Sequence, residues 1–351
     1  MSLADLQLTD LRCLERAELE LHPRLNIISG PNGAGKTSLL EAMYLLGRGR
    51  SFRTRHTERL IRHSAAAFTV VGHLADPVQG VIGITCHRTE GTTIRLNRSS
   101  VTSTAQLAEA FPVQIIDPGI HRLVEEGPTW RRRWLDWGVF HVEHGFAFQW
   151  ADYSRTLKQR NAALKQGMDP SPWDAQLVVL GEQISAARER TLAELQPVLA
   201  ASLERLLGEP VTLGFFRGWS QERDLAESLT LHRAQDLERG STGVGPHRFD
   251  VLLRVHGRAA REVLSRGQQK MLGAAMALSL TRLVAQRGGR PPTVLLDDPA
   301  AELDVGRTAA LLQEVLALDG QRVLTSLDPH ALRGSQEAAM FHVEQGQVTH
   351  L

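Results

Sequence analysis

The chain has 351 residues, 42% of them hydrophobic and 23% charged, with a formal net charge of +1, a profile that excludes wholesale disorder and carries no overall bias toward nucleic acid. No apolar run approaches the ~20 residues that cross a bilayer, so no membrane partner is expected, and the first residues lack the pattern of a secretory signal. Two cysteines, Cys13 and Cys86, are too few and too far apart for a disulfide framework or a thiolate metal site, so a cytoplasmic, reducing location is expected.

Residues 1–29 read as strands. Leu6 and Leu8 alternate with polar neighbours, as do Ala17, Leu19 and Leu21 with Glu18 and Glu20. Residues 25–28 form an apolar run that stops at Ser29-Gly30, as a buried strand does before a tight turn. Further on, Leu39, Leu40, Met43 and Leu46 share one helical face. Within 67–96, short β-prone runs at 68–71 and 81–85 predict a peripheral antiparallel sheet. After Pro118 the composition changes. Residues 122–208 are rich in Leu, Ala, Gln, Glu and Arg, and Pro170-Ser171-Pro172 splits them into two helical blocks. No heptad pattern is sustained, so a long coiled coil is not expected. A strand returns at 249–255, a helix follows over 267–286, and Thr293–Leu296 reads as another buried strand.

The segment Gly30-Pro31-Asn32-Gly33-Ala34-Gly35-Lys36-Thr37 matches the P-loop pattern GxxxxGKT, and it sits between an apolar strand and an amphipathic helix. The glycines let backbone N–H groups turn onto phosphates, and the positive end of the helix points at the same charge. Lys36 is expected to neutralise β and γ oxygens of ATP, and the Thr37 hydroxyl to ligate Mg²⁺. A chance glycine-rich turn would lack the strand and helix on either side.

A second half-site follows from Thr293-Val294-Leu295-Leu296-Asp297-Asp298, an apolar strand ending in two carboxylates. Asp297 is expected to hold Mg²⁺ and Asp298 to orient the attacking water. Alone, such a strand is commonplace; beside a P-loop it completes a site. Leu264-Ser265-Arg266-Gly267-Gln268-Gln269-Lys270 resembles the signature of ATP-binding-cassette proteins, with Arg266 at the first glycine position. Ser265, Gly267 and Gln268 at a helix N-terminus make an anion site, although Ser265 is equally a good helix cap. In cassettes this segment serves ATP bound to the other subunit, so an ATP-dependent homodimer is expected. The resulting fold class is α/β: a P-loop, cassette-type head with a peripheral antiparallel sheet and an inserted helical lobe. The expected division is 1–121 with 241–351 for the split head and 122–240 for the lobe.

Longer stretches carry a resemblance. Residues 26–33, 39–46 and 49–53, then Gly127-Pro128 with Arg131-Arg132-Arg133 and Leu135-Asp136-Trp137, then 157–164 and Gly245-Pro246-His247-Arg248, fall in one order. In these the chain is similar, over essentially its whole length, to the RecF family of bacterial DNA-gap repair proteins. The resemblance implies a DNA-dependent ATPase acting at single-stranded gaps beside double-stranded DNA. It also implies work with RecO and RecR in loading RecA, and a place in recombinational repair, the SOS response and replication. There are departures. Ala301 stands where most members have Ser, and Pro118-Gly119 where they have Pro-Glu. The strand at 322–325 is not followed directly by a histidine, His330 being nearest. Asp298 replaces the glutamate of faster cassettes, which predicts slow turnover.

For DNA, the first candidate is the run Arg48, Arg50, Arg53, Arg55, Arg59 and Arg62, six arginines against Glu58 alone within 47–63, a local excess of five positive charges. Phosphate contacts need cations without base chemistry, so such binding is expected to be sequence-independent and salt-sensitive. The competing reading is a solvated face with some arginines paired to acids. Arg131–Arg133 is the second candidate, and internal ion pairing its rival. Trp130, Trp134 and Trp137 fall at helical spacing, which favours core packing over base stacking. His247 is expected in a turn near the nucleotide on family order alone. Three alternatives stand beside the main reading: a transport cassette, an SMC-type chromosome-organising head, and an ATP-binding DNA clamp that scarcely turns over.

Overall fold

The structure, a computed structural model, describes residues 2–75, 80–288, 290–327 and 337–351, and the elements below are those of the described residues. The chain separates into two compact units, Met1–Ile120 with Val284–Leu351, and His121–Leu283. Residues 241–283, which the sequence reading keeps with the head, belong by compactness to the second unit.

The first unit opens with a hairpin of β1 (Leu3–Leu11) and β2 (Leu14–Glu20). Leu6, Leu8, Leu14, Ala17 and Leu19 are buried while Gln7, Thr9, Glu18 and Glu20 are exposed, so the period-2 pattern sets the face that enters the core. The wholly buried β3 (Leu25–Ser29) leads into α1 (Lys36–Arg48). The chain then adds β4 (Ala67–Leu74), β5 (Gly80–His87), β6 (Gly91–Leu96) and β7 (Ser99–Ser100). These join the hairpin in an antiparallel sheet of order β2-β1-β4-β5-β6-β7. The peripheral sheet expected at 67–96 is therefore larger, because the opening hairpin belongs to it. α2 (Thr104–Ala110) and β8 (Val113–Ile116) close this stretch.

The second unit comprises α3 (Arg122–Glu125), α4 (Pro128–Val142), α5 (Phe146–Lys165), α6 (Asp174–Leu206), β9 (Thr212–Phe216), α7 (Leu225–Arg239), β10 (Asp250–Val255), β11 (Arg258–Ala259), α8 (Ala260–Val263) and most of α9 (Arg266–Gly288). The proline pair does separate α5 from α6. Pro197, however, lies inside α6, which continues through it. β9, β10 and β11 form a small antiparallel sheet. Within this unit α4 and α9 approach closely at Gly138, where an added Cβ would sit 2.3 Å from Leu280 Cδ1.

The first unit resumes with β12 (Thr293–Leu296), α10 (Val305–Leu316), β13 (Arg322–Ser326), β14 (Ala339–Glu344) and β15 (Gln347–His350). Its second sheet has the order β15-β14-β3-β13-β12-β8, parallel throughout except for the β14–β15 hairpin. The strands that carry the P-loop and the paired aspartates are thus parallel and separated only by β13. Open parallel sheets bind ligands outside the carboxyl ends of their strands, which is where both motifs emerge.

Candidate nucleotide-binding site

The loop from Gly30 to Gly35 can take its path only with glycine at two points. Gly30 has φ +143°, and a Cβ there would lie 2.1 Å from the carbonyl oxygen of Val343. Gly35, at φ +122°, caps α1, and a Cβ would press on Leu14 Cδ2 at 2.7 Å. The first turn of α1 has neither a side-chain cap nor an acidic residue, so its N–H groups are left for an anion. Pro31, Asn32, Gly33 and Ala34 complete the bend, with Ala34 N–H donating to the Pro31 carbonyl at 3.3 Å.

Lys36 and Thr37 point into the crevice. Lys36 Nζ donates to the carbonyls of Gly30 at 2.6 Å and Pro31 at 3.0 Å. Burial lowers its pKa, with the charges of Asp298 and Asp297 opposing that fall. Thr37 Oγ1 lies 3.0 Å from each carboxylate oxygen of Asp297. Burial raises the Asp297 pKa, against hydrogen bonds from Thr325 and Thr37, while the Asp298 charge adds to the rise and Arg53 opposes it. The buried carboxylate beside a hydroxyl is a hard-oxygen pair suited to Mg²⁺. Among the described residues no group of three or more His, Cys, Asp or Glu could hold a metal, so the pair would need phosphate and water oxygens to complete an octahedron.

These residues line one cavity of about 570 Å³ with Asn32, Gly33, Arg12, Arg53 and Arg59. A larger trough of about 800 Å³, lined by Thr69, Thr85 and Arg95 among others, lies on the face of the antiparallel sheet. It offers neither a backbone cradle nor an acid pair, so chemistry rather than size decides between the two.

The cavity holds arginines that motif reading did not place there. Fully buried Glu41 on α1 accepts from Arg12 at 2.9 and 3.0 Å and from the Ser51 hydroxyl, and Arg53 lies 3.9 Å from it. One carboxylate thereby ties the β1–β2 turn and the segment after α1 to the rim of the cavity. In sequence Arg53 and Arg59 stand out only as part of the arginine run, and Arg12 carries no signal at all. Arg53 and Arg59 line the phosphate cavity, Arg62 is paired with Asp10 at 2.7 Å and Glu15 at 3.5 Å, and the Arg48 guanidinium lies over the Tyr44 ring. Arg50 and Arg55 are exposed. The run is therefore divided among several tasks.

The comparisons with known proteins now decide the family. The model of the RecF/RecN/SMC N terminal domain matches residues 2–350. A DNA replication and repair protein RecF of Pseudomonas aeruginosa (strain LESB58) is 39% identical, with 99% of this chain and 98% of that protein covered. Its counterpart in Azotobacter vinelandii (strain DJ / ATCC BAA-1303) is 40% identical over the same shares. The chain belongs to the RecF family. A solved structure of the recombination mediator protein RecF with ATP is 27% identical and superposes with a TM-score of 0.88, covering 100% of this chain and 97% of that one. An SMC head bound to the C-winged helix domain of ScpA, 13% identical at a TM-score of 0.63, shares the fold. The head of this RecF-family chain is accordingly of the SMC-like cassette ATPase type.

In this RecF-family chain the signature segment opens α9 in the second unit. Ser265 N–H donates to Gln268 Oε1 at 2.9 Å and Gln268 N–H reaches Ser265 Oγ at 3.4 Å, a reciprocal capping box. Ser265 is exposed and Gly267 half-buried. Asp304 caps α10 by accepting from Arg307 N–H at 2.8 Å. At the second DNA candidate the rival reading, internal ion pairing, holds for Arg131. Arg131 is buried and bidentate on Asp250 at 2.7 and 3.0 Å, and Arg132 donates to the Phe249 carbonyl at 2.7 Å. Arg133 is exposed but has a partner of its own. Trp134 and Trp137 are core residues, and Trp134 Nε1 donates to the Met276 carbonyl at 3.2 Å. His247 does sit in a tight turn, between the Tyr153 hydroxyl at 2.8 Å and the Thr242 carbonyl at 3.0 Å. His330 lies outside the described residues.

Proposed function

We propose that this chain is a slow, DNA-stimulated, Mg²⁺-dependent ATPase of recombinational gap repair. ATP joins two copies of it at single-stranded gaps beside duplex DNA, where it works with RecO and RecR toward RecA loading in the cytoplasm. The observation that carries this reading is the meeting of Lys36 and Thr37 with Asp297 and Asp298 at the carboxyl ends of two parallel strands of one sheet. The relatives' names supply the repair context, and the solved RecF–ATP structure supplies the nucleotide.

In this reading the N–H groups of 30–35 and the α1 N-terminus cradle the α and β phosphates. Lys36 leaves its loop carbonyls for β and γ oxygens, exchanging neutral acceptors for charged ones, which makes stronger bonds. Thr37 and Asp297 hold Mg²⁺, which when bound neutralises charge developing on the transferred phosphoryl group. Asp298 orients the attacking water. Ser265, Gly267 and Gln268 of a second copy reach the γ-phosphate, so neither copy alone completes a site. Arg50 and Arg55, exposed and outside the lining of the phosphate cavity, come first in the arginine run for DNA phosphates, with Arg48, Arg53, Arg59 and Arg62 contributing as their present partners allow.

The short reach of Asp298, held at φ 44°, favours slow hydrolysis, and its limit is a clamp that binds ATP and DNA with scarcely any turnover. ATP hydrolysis with and without gapped duplex DNA, in the native chain and in Lys36→Met and Ser265→Arg, separates these. Stimulation by DNA that both substitutions abolish is expected. Full activity in Ser265→Arg would remove the two-copy site, and binding of ATP without DNA stimulation would leave the clamp.

A further inference from the structure

One side chain outside those roles touches both aspartates. Thr325 is the last residue but one of β13 and is fully buried. Its hydroxyl donates to Asp297 Oδ1 at 3.0 Å and accepts from the Asp298 N–H at 2.8 Å. A hydroxyl has a single proton, so both directions of this bridge are fixed by what each partner can offer. The register explains the placement. Thr325 pairs with Ile28 on one side, while Leu324 pairs with Leu296 on the other, so Thr325 emerges level with Asp297. Asp297 is thereby gripped from two elements, by Thr37 in the first turn of α1 and by Thr325 on β13. Asp298 has a left-handed backbone at φ 44°, a conformation that non-glycine residues keep only where neighbouring structure holds it. The Thr325 hydroxyl is one of the groups that does so.

We propose that Thr325 is a positioning residue, which aims the Asp297 carboxylate at a divalent cation and fixes the backbone from which Asp298 projects. The proposal rests on the reading of Thr37 and Asp297 as the cation-holding pair. Valine at this position would keep the strand and the volume but lose the bridge. Serine would keep the bridge and lose only a methyl group. Hydrogen-bond partners that orient a metal ligand are worth about 10–100-fold in metal affinity or activity when removed.

The test uses the full chain with Mn²⁺ as the cation and AMP-PNP as the nucleotide, read by electron paramagnetic resonance, which needs no turnover. In Thr325→Val the Mn²⁺ concentration for half-saturation should rise about 10–100-fold, and Thr325→Ser should bring it back to within about threefold of native. AMP-PNP binding in EDTA should stay within about twofold in both, which also reports that they are folded. Thr325→Ala repeats the measurement without the methyl that valine presses against Asp297. Native Mn²⁺ binding in Thr325→Val and Thr325→Ala would overturn the proposal, as would a serine variant as poor as the valine one. Asp297→Asn separates the two levels. If it leaves Mn²⁺ binding intact, the cation-holding reading falls and takes Thr325 with it. If it abolishes binding while Thr325→Val does not, Thr325 alone is dismissed.

Discussion

The phosphate cavity of the first unit and the arginine network of the second both concentrate charge away from water, but they satisfy it differently. Arg160 is fully buried between Asp174 and Asp236, each at 2.8 Å, with Thr242 at 2.9 Å. Arg188, also fully buried, is bidentate on Asp136 at 2.8 and 3.0 Å, with the rings of Trp150 and Phe249 each 5.0 Å away. Both guanidinium groups face carboxylates fixed within the fold, Arg188 as a matched fork on Asp136 and Arg160 between two aspartates. Lys36 instead holds two neutral carbonyls of its own loop, and Thr37 leans on a carboxylate. Those are bonds that a phosphate and a cation can replace at a gain. Permanent pairing marks charge that holds a fold, and replaceable pairing marks charge kept for a ligand.

The largest effect should come from breaking a permanent pair. Arg160→Ala leaves Asp236 buried and uncompensated, which should destabilise the chain by about 3–5 kcal/mol in urea unfolding followed by circular dichroism. A loss below about 1 kcal/mol would place this network with the replaceable bonds and undo the contrast. Next is Lys36→Ala. It should lower ATP turnover by about 10²–10³-fold while leaving the unfolding midpoint in nucleotide-free buffer nearly native. A large loss of stability without nucleotide would mean that Lys36 serves the fold after all.

The same contrast explains what could be read from sequence. The P-loop, the paired aspartates and the buried strands that lead into them were legible because their chemistry demands fixed residue types at fixed spacing. The arginines were not. Nothing local distinguishes Arg131, locked on Asp250 119 positions away, from Arg55 on the surface, since partner choice is made by tertiary contacts. Glu41 likewise reads as one more residue of an amphipathic helix, yet it anchors Arg12 and Ser51. Thr325 falls in an unremarkable apolar strand, and its role depends on which strands lie beside it. β9 escaped notice because Gly214 interrupts a short, half-exposed run.

A smaller effect should appear with pH, again in the second unit. Burial pushes the His247 pKa down to about 4, with its hydrogen bond to the Thr242 carbonyl opposing and the charges of Arg248 and Arg132 assisting. The unfolded chain takes up this proton below about pH 6.5, and the folded chain resists it until about pH 4, so stability should fall as pH drops through that window. The loss should reach about 2–3 kcal/mol near pH 4. His247→Gln, which can still offer an acceptor to Tyr153 and a donor to Thr242, should flatten this part of the profile in urea titrations at pH 7, 5.5 and 4.5. An unchanged slope would assign the acid sensitivity to other groups.

The smallest effect tests the charges that have no permanent partner. Arg50 and Arg55 are exposed and form no ion pair among the described residues, whereas Arg62 is held by Asp10 and Glu15. If availability decides which arginines meet DNA, Arg50→Ala and Arg55→Ala should each weaken binding to gapped duplex DNA uniformly across sequences. Each should also reduce the slope of log affinity against log salt by about 1. Arg62→Ala should leave that slope nearly unchanged and lower folding stability slightly instead. Fluorescence anisotropy at several salt concentrations reads the slopes directly. Equal slopes for all three variants would mean that a surface ion pair opens readily enough for its arginine to reach phosphate. The line between permanent and replaceable charge would then have to be drawn at burial, and pairing alone would not decide it.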